Sequence, residues 1–146
     1  MKLLFAMIAL AVFAGPINWE KDFTKAKAVA ATEHKYILLN FSGSDWCGPC
    51  IRMQKEIFET AEFGSYANEH LVLVKADFPR QKKNQLTKDL QQQNDQLAEQ
   101  FNSKGSFPLT VLLTADGKMV KVWDGFQKQG TTAFVNEIKQ ATNAGN

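Results

Sequence analysis

The amino-acid sequence predicts an α/β domain in which helices cover both faces of a central mixed sheet, with a helix at the N-terminal end and a β-hairpin plus helix at the C-terminal end. Short apolar runs of strand length alternate with longer segments of helical periodicity. An Asp-Gly pair between two apolar runs is typical of a hairpin turn. Alternating strands and helices imply a largely parallel sheet, to which the hairpin adds an antiparallel edge.

Residues 1–14 have the pattern of a secretory signal peptide. Met1-Lys2 gives a short positive start, an uncharged apolar run follows, and residues 12–14 resemble a cleavage site before Gly15. The apolar run is shorter than the roughly 20 residues that span a bilayer as a helix. We therefore expect an exported protein, periplasmic or secreted, with one domain over residues 15–146. The alternative is a buried N-terminal helix or an uncleaved anchor.

The first half of the domain is predicted to place one buried strand between two helices. Residues 18–34 form an amphipathic helix capped by Asn18. Its apolar positions recur at helical spacing in Trp19, Phe23, Ala26 and Ala30. The apolar run 36–41 is a buried strand. The next helix begins near Cys47, and Pro49 is compatible with it because a first-turn residue needs no N–H.

The second half is predicted to contain two more strands on either side of a polar helix, followed by the hairpin partner and a last helix. A helix over 61–69 precedes the strand 71–76, and residues 77–80 break that strand. The polar helix has a narrow apolar stripe of Leu86, Leu90, Leu97 and Phe101. The hairpin joins strands 109–114 and 119–123 through Asp116-Gly117. Thr131 caps the final helix.

The composition is that of one ordinary globular domain. The chain has 146 residues, of which 45% are hydrophobic and 22% charged, values close to the average for folded proteins. The formal net charge of +2 is too small to predict a nucleic-acid-binding protein.

The only two cysteines lie in Trp46-Cys47-Gly48-Pro49-Cys50. A structural disulfide across three residues closes a very small loop, and loop-closure stabilisation grows with loop length, so a redox-active pair is the better interpretation. If Cys47 begins a helix, backbone N–H groups and the helix dipole stabilise its thiolate. Cys47 is therefore the predicted, exposed nucleophile, and Cys50 the resolving thiol. Gly48 and Pro49 set the geometry of the turn.

Two other chemistries of a Cys-x-x-Cys pair are disfavoured. A structural zinc site needs four ligands, and His34 and His70 have no metal-binding spacing. Attachment of a c-type haem needs His after the second cysteine, where this chain has Ile51. No metal and no cofactor is therefore predicted.

With these residues in view, the chain resembles the thioredoxin superfamily, and in particular its exported single-domain members. The resemblance covers roughly residues 19–142. It is carried by the strand 36–41, Lys75, the Phe107-Pro108 pair, the Asp116-Gly117 hairpin and Gly125, and above all by the Trp-Cys-Gly-Pro-Cys motif. The fold it implies is thioredoxin-like.

The resemblance also implies roles for residues outside the motif. The Phe107–Pro108 bond would be cis and face the cysteines, although sequence alone favours trans for most X–Pro bonds. Its backbone would pair with a substrate chain like an added strand. Trp46 would form an apolar rim beside the nucleophile. Gly125 would leave room for the bound peptide, and a turn glycine is the alternative interpretation.

The chain departs from the thioredoxin pattern beneath the motif. Asn40 stands where thioredoxins have a buried Asp, and an amide does not accept the proton of the resolving thiol. Lys75 is expected to lie nearby and to be less perturbed without an acidic neighbour, while water or Asp45 moves the proton. Leu109 replaces the usual Thr after Pro108. Residues 77–80 and the Gln-rich segment form a longer connection than in a minimal thioredoxin.

The expected activity is that of a thiol–disulfide oxidoreductase in an oxidising, extracytoplasmic compartment. Gly-Pro between the cysteines resembles the reducing members, which favours reduction or isomerisation of protein disulfides over net oxidation. The expected partners are protein disulfides or dithiols and a membrane thiol donor, with no nucleic acid, and the chain is expected to be a monomer. The alternatives are a disulfide-donating oxidase and a non-catalytic binding module.

Overall fold

A computed structural model describes residues 16–143, so the predicted signal peptide lies outside the described part of the chain. Five strands and five α-helices follow one another along residues 16–143. The strands are β1 (Trp19–Glu20), β2 (Tyr36–Ser42), β3 (Leu71–Asp77), β4 (Leu109–Leu113) and β5 (Met119–Asp124). The helices are α1 (Phe23–Glu33), α2 (Gly48–Met53), α3 (Ala61–His70), α4 (Lys88–Phe101) and α5 (Thr131–Asn143). A π-helical turn, Gln54–Phe58, extends α2, and a 3₁₀ turn, Lys82–Asn84, precedes α4.

The sheet is mixed, as predicted, with the strand order β1-β3-β2-β4-β5. β1, β3 and β2 are parallel, whereas β2–β4 and β4–β5 are antiparallel. The sheet is therefore less parallel than the alternation of elements suggested. The reason is that β3 ends beside Ser42 and β4 begins beside Phe41, so the intervening chain leaves and re-enters the sheet at one end.

The two faces of the sheet carry separate apolar cores. Side chains alternate between them along β2, since Leu38 joins one core and its neighbours Ile37 and Leu39 join the other. The first core is covered by α2, its π-helical extension, α3 and α5, and the second by α1 and α4. Among residues 16–143, no helix is both long and apolar enough to span a membrane.

The prediction of one helix over residues 18–34 is wrong at its N-terminal end. Trp19 and Glu20 form β1 and pair with Leu73 and Val74 of β3. The helix begins at Phe23, where the side chain of Asp22, not that of Asn18, accepts the capping hydrogen bond from Lys25 N at 3.0 Å. The apolar spacing of Trp19 continues the helical pattern by coincidence, because this side chain packs on the opposite core from Ala26 and Ala30.

Candidate functional site

Cys47 and Cys50 form a disulfide at the end of β2. Cys47 is the N-cap of α2, and its sulfur accepts a hydrogen bond from Cys50 N at 3.3 Å. Pro49 lies in the first turn, where no intrahelical N–H is required. The sulfur of Cys47 is therefore the one that faces the N-terminal end of the helix, where negative charge is stabilised.

Cys47 is not exposed, contrary to the expectation from sequence. It is 5% exposed and Cys50 is 4% exposed, so accessibility does not separate the two in the oxidised protein. In the oxidised protein the sulfur of Cys47 is bonded to that of Cys50 and accepts that residue's N–H. The two cysteines differ in their place in the helix, because Cys47 is the N-cap of α2 whereas Cys50 lies within α2.

The Phe107–Pro108 peptide bond is cis. Pro108 is buried, and its carbonyl oxygen accepts a hydrogen bond from Gly125 N at 2.8 Å. Gly125 has φ +78°, a conformation that favours glycine, although no atom lies within 4 Å of an added Cβ. Within the described chain, no hydrogen bond engages the backbone N–H or C=O of Phe107.

Trp46 joins the cysteine loop to the Phe107–Pro108 segment. Its ring contacts that of Phe107 edge to face, with centroids 5.5 Å apart. Its indole N–H donates to the carbonyl oxygen of Phe78 at 2.7 Å, and the Arg80 guanidinium lies 3.6 Å above the ring. The side chain is partly exposed. An added Cβ at Gly43 would lie 2.2 Å from the indole, so the loop needs glycine there for close packing.

Asn40 is buried beneath the motif and 2% exposed. Its amide nitrogen donates to Thr110 Oγ1 at 3.1 Å, and its carbonyl oxygen accepts from Lys75 Nζ at 2.8 Å. Lys75 also donates to Gln54 Oε1 at 3.1 Å. The ammonium lies 3.8 Å from the centre of the Trp19 ring. The lysine is therefore held by neutral oxygens and aromatic faces.

Lys75 and Cys50 line the same open cleft, of about 360 Å³. Burial lowers the pKa of Lys75 from its ordinary value of 10.5 to about 7, and the carboxylates of Asp77 and Glu59 oppose this shift. The expectation that Lys75 would be less perturbed is thus wrong. Without an acidic neighbour at position 40, nothing in direct contact offsets the desolvation of the ammonium.

Asp45 is not arranged to move a proton. Its carboxylate accepts hydrogen bonds from Arg80 N, Gln81 N and Asn84 Nδ2, each at 3.0 Å. These donors lower the pKa of the carboxyl, with the Arg80 amide contributing most. The side chain instead fixes the segment that follows β3 against the cysteine loop.

Comparison with known proteins identifies the family of this site. A protein-family model named Thioredox_DsbH, described as a protein of unknown function (DUF255), matches residues 8–143. The chain is 37% identical over 130 residues to the Disulfide bond reductase DsbH of Chlamydia pneumoniae, an alignment covering 89% of this chain and 75% of the relative. The chain belongs to the DsbH family of the thioredoxin superfamily.

Two further relatives agree with this membership. A solved structure named DsbH Oxidoreductase aligns with a TM-score of 0.81 at 33% identity, covering 96% of this chain and 94% of that one. The Thioredoxin-related protein DsbJ of Chlamydia pneumoniae is 28% identical over 104 residues, and the match covers only 29% of its length. DsbH-family membership and the Cys47–Cys50 disulfide make this chain a thiol–disulfide oxidoreductase.

Sequence reasoning missed several residues that shape the site of this DsbH-family protein. They are Gly43, Gln54, Phe78 and Thr110. The lone glycine ahead of the motif was a usable signal for close packing. Gln54 and Thr110 carried none, because they meet Lys75 and Asn40 across sequence separations of 21 and 70.

Proposed function

We propose that this protein is exported and reduces or isomerises protein disulfides in an oxidising compartment. The observation that carries the proposal is the Cys47–Cys50 disulfide at a helix N-terminus in a chain 37% identical to a relative named a disulfide bond reductase. The Gly-Pro dipeptide between the cysteines and the signal-like residues 1–14 support it.

The reduced protein carries the two electrons that the substrate receives. The Cys47 thiolate attacks one sulfur of the substrate disulfide, forms a mixed disulfide, and releases the other substrate sulfur as a thiolate. Deprotonated Cys50 then attacks the Cys47 sulfur, which forms the Cys47–Cys50 disulfide and releases the second substrate thiolate. A membrane thiol donor would return the protein to the dithiol form by the reverse exchange.

The substrate backbone is proposed to lie along Phe107. The backbone N–H and C=O of Phe107 make no hydrogen bond within the described chain, and Phe107 precedes a buried cis-proline. An extended peptide can pair with such free backbone groups as an added strand. The contact between Phe107 and Trp46 supports this assignment, because it joins the segment to the residue before Cys47.

Lys75 is proposed to receive the proton of Cys50. With a pKa of about 7, the amine is neutral in a large fraction of molecules at neutral pH, and a neutral amine accepts a proton where Asn40 does not. Lys75 and Cys50 line one cleft large enough for water to link them. Asn40 and Gln54 then act as positioning residues that hold the Lys75 Nζ.

Reduction of insulin disulfides with dithiothreitol as electron source tests the proposed activity. We expect the wild-type protein to accelerate reduction, and Cys47→Ser to abolish the acceleration, since Ser lacks a competent nucleophile. Reduced Cys50→Ser, freed of dithiothreitol before it is mixed with insulin, should instead accumulate a mixed disulfide, visible as a band on a non-reducing gel. If Cys47→Ser retained wild-type activity, the mechanism would be wrong and a binding module would be favoured.

A further inference from the structure

A basic segment lies beside the cysteine loop. Residues 78–88 contain Arg80, Lys82, Lys83 and Lys88, and no acidic residue. All four basic side chains are exposed. Within residues 16–143, none of the four is in an ion pair with a carboxylate. Their charge is therefore available to another molecule.

The basic segment is fastened to the loop that carries the nucleophile. The Asp45 carboxylate holds its backbone through the N–H groups of Arg80 and Gln81 and the side chain of Asn84. The Phe78 carbonyl oxygen accepts the Trp46 indole N–H at 2.7 Å. The Asp45 carboxylate is occupied by these bonds and contacts the backbone of Arg80, not its guanidinium. The position of the segment next to Cys47 is thus fixed.

Arg80 occupies the inner end of the segment. Its guanidinium is stacked 3.6 Å above the ring of Trp46, the residue that precedes Cys47. Stacking on the face of a ring leaves the N–H groups at the guanidinium edge free for a carboxylate. The rings of Phe78 and Trp46 both contact the Phe107 ring, each with centroids 5.5 Å from it. A peptide along Phe107 would therefore pass within reach of Arg80.

We infer that the basic segment 78–88 recognises acidic residues that flank the disulfide of a protein substrate, and that Arg80 binds one substrate carboxylate. The inference rests on the proposed function and names the substrate class of the same site. Arg80 contributes a charge-assisted hydrogen bond. The three lysines raise the encounter rate with an acidic segment by long-range attraction, which salt screens.

Two synthetic peptides test this inference. Both contain the same intramolecular disulfide, flanked by Glu in one and by Gln in the other. The measured quantity is the ratio of kcat/KM for the acidic peptide to kcat/KM for the neutral one, with dithiothreitol as electron source. We expect Arg80→Gln to lower this ratio about fivefold, as the loss of roughly 1 kcal/mol at an exposed ion pair predicts. Raising the salt from about 20 mM to about 200 mM should lower it in the wild-type protein.

Lys118→Gln is the charge-matched control, because Lys118 follows the hairpin turn at the opposite end of the sheet from the cysteines. It should leave the ratio unchanged. A ratio that Arg80→Gln does not alter would overturn the inference, and so would an equal loss on both peptides. If Arg80→Gln abolished binding to phosphatidylglycerol vesicles with no change in the ratio, the surface would bind lipid and the inference would be wrong.

Failure of this inference is distinguishable from failure of the proposed function. Hydroxyethyl disulfide is small and uncharged, so it does not need the basic segment. Reduction of this compound by the wild-type protein, without preference between the peptides, would overturn only the acidic substrate class. No reduction of hydroxyethyl disulfide, insulin or either peptide would overturn the proposed function as well.

Discussion

Asn40 stands where the resemblance to thioredoxins implies a buried Asp, and we propose that it affects the resolving step through Lys75. The two side chains are 2.8 Å apart at Oδ1 and Nζ. A carboxylate at position 40 would favour the charged form of Lys75. The neutral amide of Asn40 does not, so burial lowers the pKa of Lys75 to about 7. On the proposed mechanism, the amide at position 40 leaves Lys75 able to exchange a proton near neutral pH.

Lys75→Met tests this role in the resolving step. The neutral amine is the form that accepts a proton, and its fraction rises as the pH rises through about 7. The wild-type decay of the mixed disulfide should therefore accelerate from about pH 6 to about pH 8. Lys75→Met should lose this rise and resolve at least roughly tenfold more slowly at pH 8. Single-turnover release of the second substrate thiol measures both rates.

Asn40→Asp is the complementary variant. Its carboxylate would be ionised at pH 6 beside the Lys75 ammonium, so it would itself accept the Cys50 proton. Resolution of the mixed disulfide at pH 6 should become faster in Asn40→Asp than in the wild-type protein.

The role of Lys75 would be contradicted if the resolving step had the same pH profile in the wild-type protein and in Lys75→Met.

At the scale of elements, the active site is the loop between β2 and α2 held against the segment that follows β3. Within the loop, the Trp46 indole occupies the space that a side chain at Gly43 would need. Asp45 binds the backbone of the segment, and Phe78 N donates to Ser42 O at 2.9 Å. The orientation of Trp46 therefore depends on both pieces of chain.

Gly43→Ala tests the packing of this loop, and Gly48→Ala is its matched control. A Cβ at position 43 would lie 2.2 Å from the indole, whereas at position 48 it would meet nothing within 4 Å. We expect Gly43→Ala to lower the free energy of unfolding by about 1–3 kcal/mol through overpacking. Gly48→Ala, inside α2, should be neutral or slightly stabilising. Urea denaturation measures both, and equal effects of the two variants would contradict the packing account.

The elements that sequence predicted well are those whose own side chains carry the signal. The apolar runs predicted β2 and β3, and the Asp116-Gly117 pair predicted the hairpin of β4 and β5. β1 was missed because two residues have no periodicity, and their pairing with β3 is a tertiary contact. The antiparallel β2–β4 pairing was missed for a similar reason, since the direction of a strand depends on how the chain returns to the sheet.

At the scale of the whole molecule, the fold brings the parts of the site to one end of the sheet. β2 and β3 end there and β4 begins there, which gathers the cysteine loop, the basic segment and Pro108. The motif predicted the cysteine pair and the resemblance predicted the cis-proline. The resemblance also placed Lys75 near Asn40, but nothing in the sequence predicted that Gln54 and Thr110 join them, because these residues come from separate elements and meet only in the folded chain.

The direction of electron flow is the central claim, and the redox potential of the Cys47–Cys50 couple tests it most directly. Equilibration of the protein with reduced and oxidised glutathione measures this potential. We predict about −230 mV or lower, in the range of thioredoxin-like reductases, so that the dithiol reduces substrate disulfides. A potential near −120 mV, typical of strong dithiol oxidants, would contradict the account and favour a disulfide-donating oxidase.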